Sequence, residues 1–287
     1  MYDLHRLRLL RELSHRGTLA AVAEALGYSP SAVSHQLSIL EREVNARLLE
    51  PAGRGVRLTP TAATLVAHTE TILRELERAE ASIAASRTEI TGTVRVATFQ
   101  TAAHTLVLDA IDRLADKHPR LVVAFTQLNA EAAIPALLAR DFDLVLSEDY
   151  PGNPPSPHPG VTTSSILDDP LLLAVPTAWP ARSLADLDEA PWVMEQRGTA
   201  ARAWSESVCR AAGFEPRVRY ETSDLGLHAQ IVARGRGVAL LPRLGHTPSP
   251  AIRLIPTGDT RAITASTRRG SEDTPATKAL RDVLVTP

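Results

Sequence analysis

The stretch from residue 18 to residue 41 constrains the fold more than any other part of the chain, because it specifies two short helices and the turn between them. Gly27 suits the left-handed position that ends the first helix. Ser29 can cap the second helix, and Pro30 stands at its first position, where a missing N–H costs nothing. Apolar residues then recur at helical spacing on one side: Val33, Leu37 and Leu40. Two helices joined by a glycine-containing turn predict a helix-turn-helix.

The opposite side of the second helix carries small polar side chains that could enter the major groove of DNA. Hydroxyl groups allow close approach to base pairs, and a glutamine can bind the edge of an adenine. The candidate base-contacting residues are Ser29, Ser31, Ala32, Ser34, His35, Gln36 and Ser38. In the turn-rich segment that follows, Arg54 and Arg57 are candidates to bind phosphates from a small hairpin, or wing. The alternative interpretation is a three-helix packing module with a solvated, serine-rich face.

Behind the wing, Thr59 and Pro60 can start a long helix that is predicted to run to about Arg87. Residues spaced alternately by four and three form a narrow seam suited to another helix: Leu65, Thr69, Ile72, Leu76, Ala79 and Ile83. From Val94 onward, short apolar strands alternate with helical stretches. This alternation predicts α/β lobes with mostly parallel sheets.

The composition excludes several classes of protein. With 287 residues, 44% hydrophobic and 22% charged, the chain is expected to form about two globular domains. A net charge of −2 excludes a uniformly basic nucleic-acid binder. No apolar run approaches the ~20 residues of a membrane-spanning helix, so no membrane partner is expected. The N-terminus does not resemble a secretory signal and Cys209 is the single cysteine, which is compatible with a cytoplasmic location.

Patterns for catalysis and metal binding are missing, so the sequence predicts no enzyme, no catalytic residue, no metal and no cofactor. There is no G-x-S-x-G motif, the nine histidines include no H-E-x-x-H or H-x-x-x-H pair, and one cysteine cannot form a cysteine-rich zinc site. Gly235 and Gly237 form a G-x-G, but no third glycine follows at dinucleotide spacing and a strand comes next. These two glycines therefore predict a tight turn between a helix and a strand.

The segment from residue 4 to residue 59 carries an ordered series of small, apolar and polar residues: Thr18, Val22, Ala23, Leu26, Ser29, Ala32, Val33, Ser34, Gln36, Leu37, Leu40, Glu41, Val56, Leu58 and Thr59. At these positions the segment resembles the LysR-type transcriptional regulators of bacteria. Pro30 and Ser31 stand where the family often has Gln-Pro, His35 where a basic residue is common, and Pro51 where an arginine is usual. Later segments at 92–96, 137–144 and 232–242 also resemble the family, so the likeness covers essentially the whole chain.

The resemblance implies a winged helix-turn-helix, a dimerisation helix and a two-lobed α/β effector domain like a periplasmic binding protein. The expected divisions are the DNA-binding domain 1–59, the linker helix 60–90 and the effector domain 91–287, with lobe I at about 91–163 plus 266–287 and lobe II at about 164–265. It also implies double-stranded DNA with an interrupted palindromic operator as partner, a small-molecule effector, and self-association as a dimer or a homotetramer.

Ligands of α/β lobes bind beyond the carboxyl ends of strands. The candidate effector-binding residues at such ends are Phe99, Gln100, Thr101, Gln127, Asn129, Arg197 and Thr199. By family resemblance they face one cleft between the lobes. Arg197 is the one cation among them and could bind a carboxylate through two hydrogen bonds, which favours an anionic effector. The alternative function is a solute-binding protein or small-substrate enzyme with a helical oligomerisation arm.

Overall fold

Three helices and a hairpin form the N-terminal unit of the computed structural model, which describes residues 2–53, 55–86, 89–128, 130–152, 158 and 160–285. In chain order these elements are α1 (Leu4–Arg16), α2 (Leu19–Leu26), α3 (Pro30–Val44), β1 (Leu49–Ala52) and β2 (Gly55–Leu58). The predicted caps are confirmed, since Oγ of Ser29 accepts the N–H of Ala32 at 3.2 Å and Gly27 has a φ of 70°. One apolar core joins the three helices to the wing, and it includes Leu7, Leu10, Val22, Val33, Leu37, Leu40 and Leu48.

The long helix α4 (Pro60–Ala85) begins as predicted, with Oγ1 of Thr59 accepting the N–H of Ala62 at 3.2 Å. Its predicted end at Arg87 lies outside the described residues. Apolar side chains remain exposed along one side of the helix: Ile72, Leu76 and Ile83. Thr69, which the sequence places in the same seam, is instead completely buried, because α4 also packs along α1 of its own chain.

The rest of the chain is built from strands and helices in alternation. The strands are β3 (Gly92–Thr98), β4 (Leu121–Gln127), β5 (Leu144–Asp149), β6 (Val161–Pro176), β7 (Pro191–Met194), β8 (Arg217–Glu221), β9 (Ala239–Pro242) and β10 (Ile252–Arg268). The helices are α5 (Gln100–Ala102), α6 (Leu108–Lys117), α7 (Ala130–Leu138), α8 (Ala200–Ala211), α9 (Leu225–Ala233) and α10 (Pro275–Val285), with a π-helical turn at Ala103–Val107 and a 3-10 turn at Leu184–Leu187.

The expectation of mostly parallel sheets is wrong for the main sheet. Its strand order is β4-β3-β5-β10-β6-β9; β3 runs parallel to β4 and β5, but the β5–β10, β10–β6 and β6–β9 pairs are antiparallel. Parallel order follows from strand–helix alternation only where a helix connects neighbouring strands. Here β6 and β10 are long strands paired directly with each other, so they need no helical crossover. β7 and β8 form a separate parallel pair.

β6 and β10 pass through both lobes of the effector domain. Ile166 and Ile263 pack into the core of the first lobe, together with residues of β3, β5 and α10. Further along β6, Leu171 and Leu173 pack into the core of the second lobe, against Trp192 of β7. The two strands therefore carry the chain from the first lobe to the second and back, and the space between the lobes lies beside them.

The glycines between α9 and β9 have the structural role that the sequence predicts. Gly235 has a φ of 66°, which disfavours other residues, and a Cβ on Gly237 would lie 2.7 Å from the carbonyl oxygen of Pro191. Their tight turn is thus confirmed. None of the helices in the described residues combines the length and the apolar composition needed to cross a bilayer.

Candidate functional site

The candidate base-contacting side of α3 lies at the surface, while the opposite side of the helix is anchored in the core. Ser29, Ser31, His35 and Ser38 are exposed, and Ala32, Ser34 and Gln36 are half-buried. Beneath them, Val33, Leu37 and Leu40 are at most 1% exposed. The hydroxyl of Ser38 donates to the carbonyl oxygen of Ser34 at 3.0 Å, so its own lone pairs stay available to an incoming donor.

The wing is fixed to the end of α3 by a carboxylate. Oε1 of Glu41 accepts the N–H of Leu48 at 2.8 Å and the N–H of Leu49 at 3.1 Å. The Arg57 side chain is 73% exposed and pairs with Glu50 across the hairpin at 2.8 Å. Arg54 lies outside the described residues. The sequence did not predict that Glu41 would hold the wing, although its position after the buried Leu40 is part of the family pattern.

The space between the lobes forms a cleft of ≈ 130 Å³ that contains most of the predicted effector-binding residues. Phe99, Gln100, Thr101 and Gln127 line it from the first lobe, and Thr199 lines it from the second. Asn129 lies outside the described residues. Arg197 does not line this cleft: it is exposed and borders an adjoining groove of ≈ 530 Å³ beside Gly152 and α8, which shares Thr199 with the cleft.

A buried arginine on β10 holds the inner end of the cleft together. Arg261 is 1% exposed, and each of its guanidinium nitrogens binds protein oxygens. Nε donates to Oδ2 of Asp169 at 2.9 Å, and Nη2 lies 2.8 Å from both that oxygen and Oγ1 of Thr101. Nη1 donates to Oε2 of Glu148 and, at 3.4 Å, to the hydroxyl of Tyr150.

Gln100 connects the two lobes across the cleft. Its amide nitrogen donates to Oδ1 of Asp224 at 3.2 Å, and its Oε1 accepts the N–H of Leu225 at 3.3 Å. This hydrogen bond from Gln100 lowers the pKa of the Asp224 carboxyl, and it is the largest of the influences on that pKa. The lobes are therefore in contact, which explains the small volume of the cleft.

Sequence reasoning missed Arg261 and its carboxylate partners, Glu148 and Asp169. The sequence did contain a signal for the burial of Arg261. On β10, Arg261 falls on the same face as Ile263 and Ala265, and both of these residues are buried. A charged residue on the buried face of a strand requires a partner, but the sequence does not show which one.

A second set of ion pairs connects the effector domain to the helices before it. Oε1 of the buried Glu77 on α4 accepts from Nε of Arg268 at 2.7 Å and from Nη1 of Arg140 at 2.6 Å. On α1, Nη2 of Arg16 donates to Oδ1 of Asp141 at 2.7 Å. Arg268 lies on the same strand as Arg261, so β10 links the cleft with the linker helix.

The single cysteine, Cys209, is buried on α8. Burial raises the pKa of Cys209 to about 12, which disfavours a reactive thiolate. Within the described residues there is no group of three or more histidine, cysteine, aspartate or glutamate side chains that could hold a metal ion.

Comparison with known families accounts for both parts of the chain. Residues 4–63 match the model described as the bacterial regulatory helix-turn-helix protein of the lysR family, and residues 87–286 match the LysR substrate binding domain. The chain belongs to the LysR family of transcriptional regulators. The predicted fold class and type of function are thereby confirmed, and the alternative of a solute-binding protein or small-substrate enzyme is not supported.

Individual relatives of this LysR regulator are distant but similar over most of their length. It is 28% identical over 245 residues to the transcriptional dual regulator GltC of Bacillus subtilis, covering 84% of this chain and 80% of that protein. A full-length OxyR variant from Pseudomonas aeruginosa superposes with a TM-score of 0.72 at 20% identity, over 100% of this chain and 95% of that one. A structure of full-length CbnR complexed with target DNA gives a TM-score of 0.55 at 21% identity, over 99% of each chain.

Proposed function

We propose that α3 binds in the major groove of an operator and that the wing contacts the phosphates beside it. One observation carries this proposal: the serine-bearing side of α3 is at the surface, while its apolar side is completely packed. The candidate contacts are Ser29, Ser31, Ala32, Ser34, His35, Gln36 and Ser38 on α3, and Arg54 and Arg57 in the wing. Base contacts supply specificity, whereas arginine–phosphate contacts supply salt-dependent affinity.

The effector is proposed to bind between the lobes, in contact with Phe99, Gln100, Thr101, Gln127 and Thr199. The roles predicted for Asn129 and Arg197 stay predictions. A ligand that changes the separation of the lobes must displace or bend β6 and β10, because these strands belong to both cores. Arg268 at the end of β10 would transmit that change to Glu77 of the linker helix. An effector can shift DNA binding only if it favours one such arrangement over another.

The chain is proposed to act as a dimer or a tetramer divided into a DNA-binding domain at 1–59, a linker helix at 60–90 and an effector domain at 91–287. Exposed apolar side chains along α4 and on both lobes support self-association: Ile72, Leu76 and Ile83, then Leu108, Val122, Phe125 and Leu227. Two recognition helices would then contact the half-sites of an interrupted palindrome. The proposed location is the cytoplasm, where such an operator is found, and no catalytic step is included.

Retardation of a promoter fragment by the full chain tests the DNA-binding part of this proposal. The Ser34→Glu substitution places a carboxylate on the candidate face, so we expect specific binding to be abolished through repulsion from phosphates. Ser14→Glu is the matched control, because Ser14 is exposed on α1 and should leave binding within about twofold of the wild type. Unchanged retardation by the Ser34→Glu protein would remove α3 from the interface.

A further inference from the structure

The charges around the interlobe cleft do not suit an anion. Glu148, Glu195 and Arg261 are the charged residues among the described residues that line it. The guanidinium of Arg261 makes five contacts with protein oxygens, two of them to Asp169, so none of its N–H groups is left for a ligand. The cleft is thus lined by two carboxylates and one fully engaged cation, and the carboxylate of Asp169 is buried behind that cation.

Glu148 keeps part of its capacity to accept hydrogen bonds. Oε2 of Glu148 accepts a hydrogen bond from Nη1 of Arg261 and another, at 3.4 Å, from the hydroxyl of Tyr150. Both bonds end on Oε2, and neither of them involves Oε1. Burial raises the pKa of Glu148 despite the nearby arginine. A positive group in the cleft would favour the ionised form of this carboxyl and add the donors that it lacks.

A second observation comes from a small void next to the cleft, where a buried histidine nitrogen has no partner among the described residues. His228 is 2% exposed, and its Nε2 lies 2.8 Å from the carbonyl oxygen of Thr222, so Nε2 must carry the proton. Burial lowers the pKa of His228 and so disfavours the protonated ring. Its Nδ1 is therefore an acceptor, and it has no hydrogen-bond partner in the described part of the chain.

His228 lines a void of ≈ 10 Å³ that adjoins the cleft. Glu195, Ala201 and Leu225 border both spaces, so the void lies directly beside the cleft. Three side chains with acceptor atoms therefore border the cleft or the void beside it: Glu148, Glu195 and His228. A buried acceptor without a donor is unfavourable, and a ligand that brings several N–H groups would satisfy it.

We propose that this cleft binds a small organic cation, with an amidinium, guanidinium or primary ammonium group donating hydrogen bonds to the acceptors at its inner end. This inference rests on the proposed effector role of the cleft and specifies the chemical class of its ligand. The volume of ≈ 130 Å³ is about that of a cavity that holds benzene, and an adjoining pocket of ≈ 350 Å³, which shares Thr101 and Leu225 with the cleft, adds room for a substituent. The exposed Arg197 borders the adjoining groove and is not among the residues that line this cleft.

Ligands of equal shape and different charge test the proposal on the full chain. Acetamidinium, acetamide and acetate form one such set, and benzamidinium, benzamide and benzoate form another. Binding is measured by calorimetry at constant ionic strength. We expect each amidinium to bind at least about tenfold more tightly than the amide and the carboxylate of its set, as a charge-assisted hydrogen bond in a partly buried site predicts.

Two variants locate the binding site. Glu195→Gln removes one carboxylate at nearly constant volume and should weaken amidinium binding about tenfold, while amide binding changes less than about twofold. Glu215→Gln is the matched control, since the Glu215 side chain is 72% exposed and borders no part of the cleft. Its amidinium affinity should equal that of the wild type.

Tighter binding of acetate or benzoate, equal binding within both sets, or an unchanged amidinium affinity in Glu195→Gln would overturn the proposal. DNA retardation by the same samples separates this failure from failure of the proposed function. A protein that retards its operator but prefers the carboxylates remains an effector-controlled regulator, with a different class of ligand. A protein that does not retard DNA contradicts the proposed function itself, whatever the cleft binds.

Discussion

The recognition helix and the interlobe cleft are both candidate binding sites, but their residues come together in different ways. On α3, the candidate contacts lie within ten consecutive positions, from Ser29 to Ser38. The cleft instead combines residues between Phe99 and Arg261, contributed by strands and helices of both lobes. A site on one helix follows from local periodicity and caps, whereas a site between lobes depends on how distant segments pack.

This difference also appears in the energetics of the two sites. The α3 surface is supported by apolar packing from below, and its polar side chains lie at least partly exposed at the surface. The cleft is supported by a buried ionic network whose members need one another, since Asp169 is 2% exposed and Arg261 is 1% exposed. Changes in the network should therefore be more damaging than changes on the DNA-facing surface.

The largest effect is expected for Arg261→Met. It leaves the buried carboxylate of Asp169 without its cation, which should cost about 3–5 kcal/mol of unfolding free energy. Urea unfolding followed by tryptophan fluorescence measures this loss, because Trp192 and Trp204 pack in the core of the second lobe. Arg217→Met is the control: it breaks an exposed pair with Glu189 and should change stability by less than about 1 kcal/mol. An equally small loss in Arg261→Met would show that the network is not essential to the cleft.

Leu37→Ala should have the next largest effect, confined to the DNA-binding domain. Leu37 is completely buried beneath the candidate face of α3, so the cavity should destabilise that domain by about 2–4 kcal/mol. Amide hydrogen exchange of α3 should become faster, while exchange in β6 and β10 stays the same. Leu26→Ala, at the 36% exposed end of α2, should change exchange little. Equal acceleration in both domains would mean that they unfold as one unit.

A pH-dependent effect is expected for Glu70→Gln on the linker helix. Burial disfavours ionisation of Glu70, but its hydrogen bond with His15 and the charge of Arg11 outweigh burial and lower its pKa to about 2 from an ordinary 4.5. The ionised Glu70 therefore stabilises the fold above pH 4.5, and this contribution declines as the pH falls towards 2.

Glu70→Gln should then lose about 1–2 kcal/mol at pH 7, after allowance for solvent screening, and less at pH 4. Urea unfolding at these two pH values gives the difference. Glu75→Gln is the control, because the Glu75 side chain is 61% exposed and should show no such trend. A loss that is the same at both pH values would contradict the lowered pKa of Glu70.

The smallest effect is expected for Arg57→Ala in the wing. If Arg57 contacts one phosphate, its removal weakens binding to all DNA sequences alike and lowers the slope of log affinity against log salt by about one. Retardation at a series of salt concentrations, with operator and unrelated DNA, measures both quantities. A loss restricted to the operator would assign Arg57 to base recognition instead.

The sequence by itself determined the elements whose signals are local. Caps at Thr18, Ser29 and Thr59 and the periodic apolar stripe of α3 predicted the winged helix-turn-helix, since each signal acts within one or two helical turns. Tertiary structure decided the rest: the antiparallel pairing of β6 with β10, the burial of Thr69, the position of Arg197 outside the cleft and the role of Arg261. These features depend on contacts between residues as far apart as Thr101 and Arg261, and the chain pattern around either residue does not encode its partner.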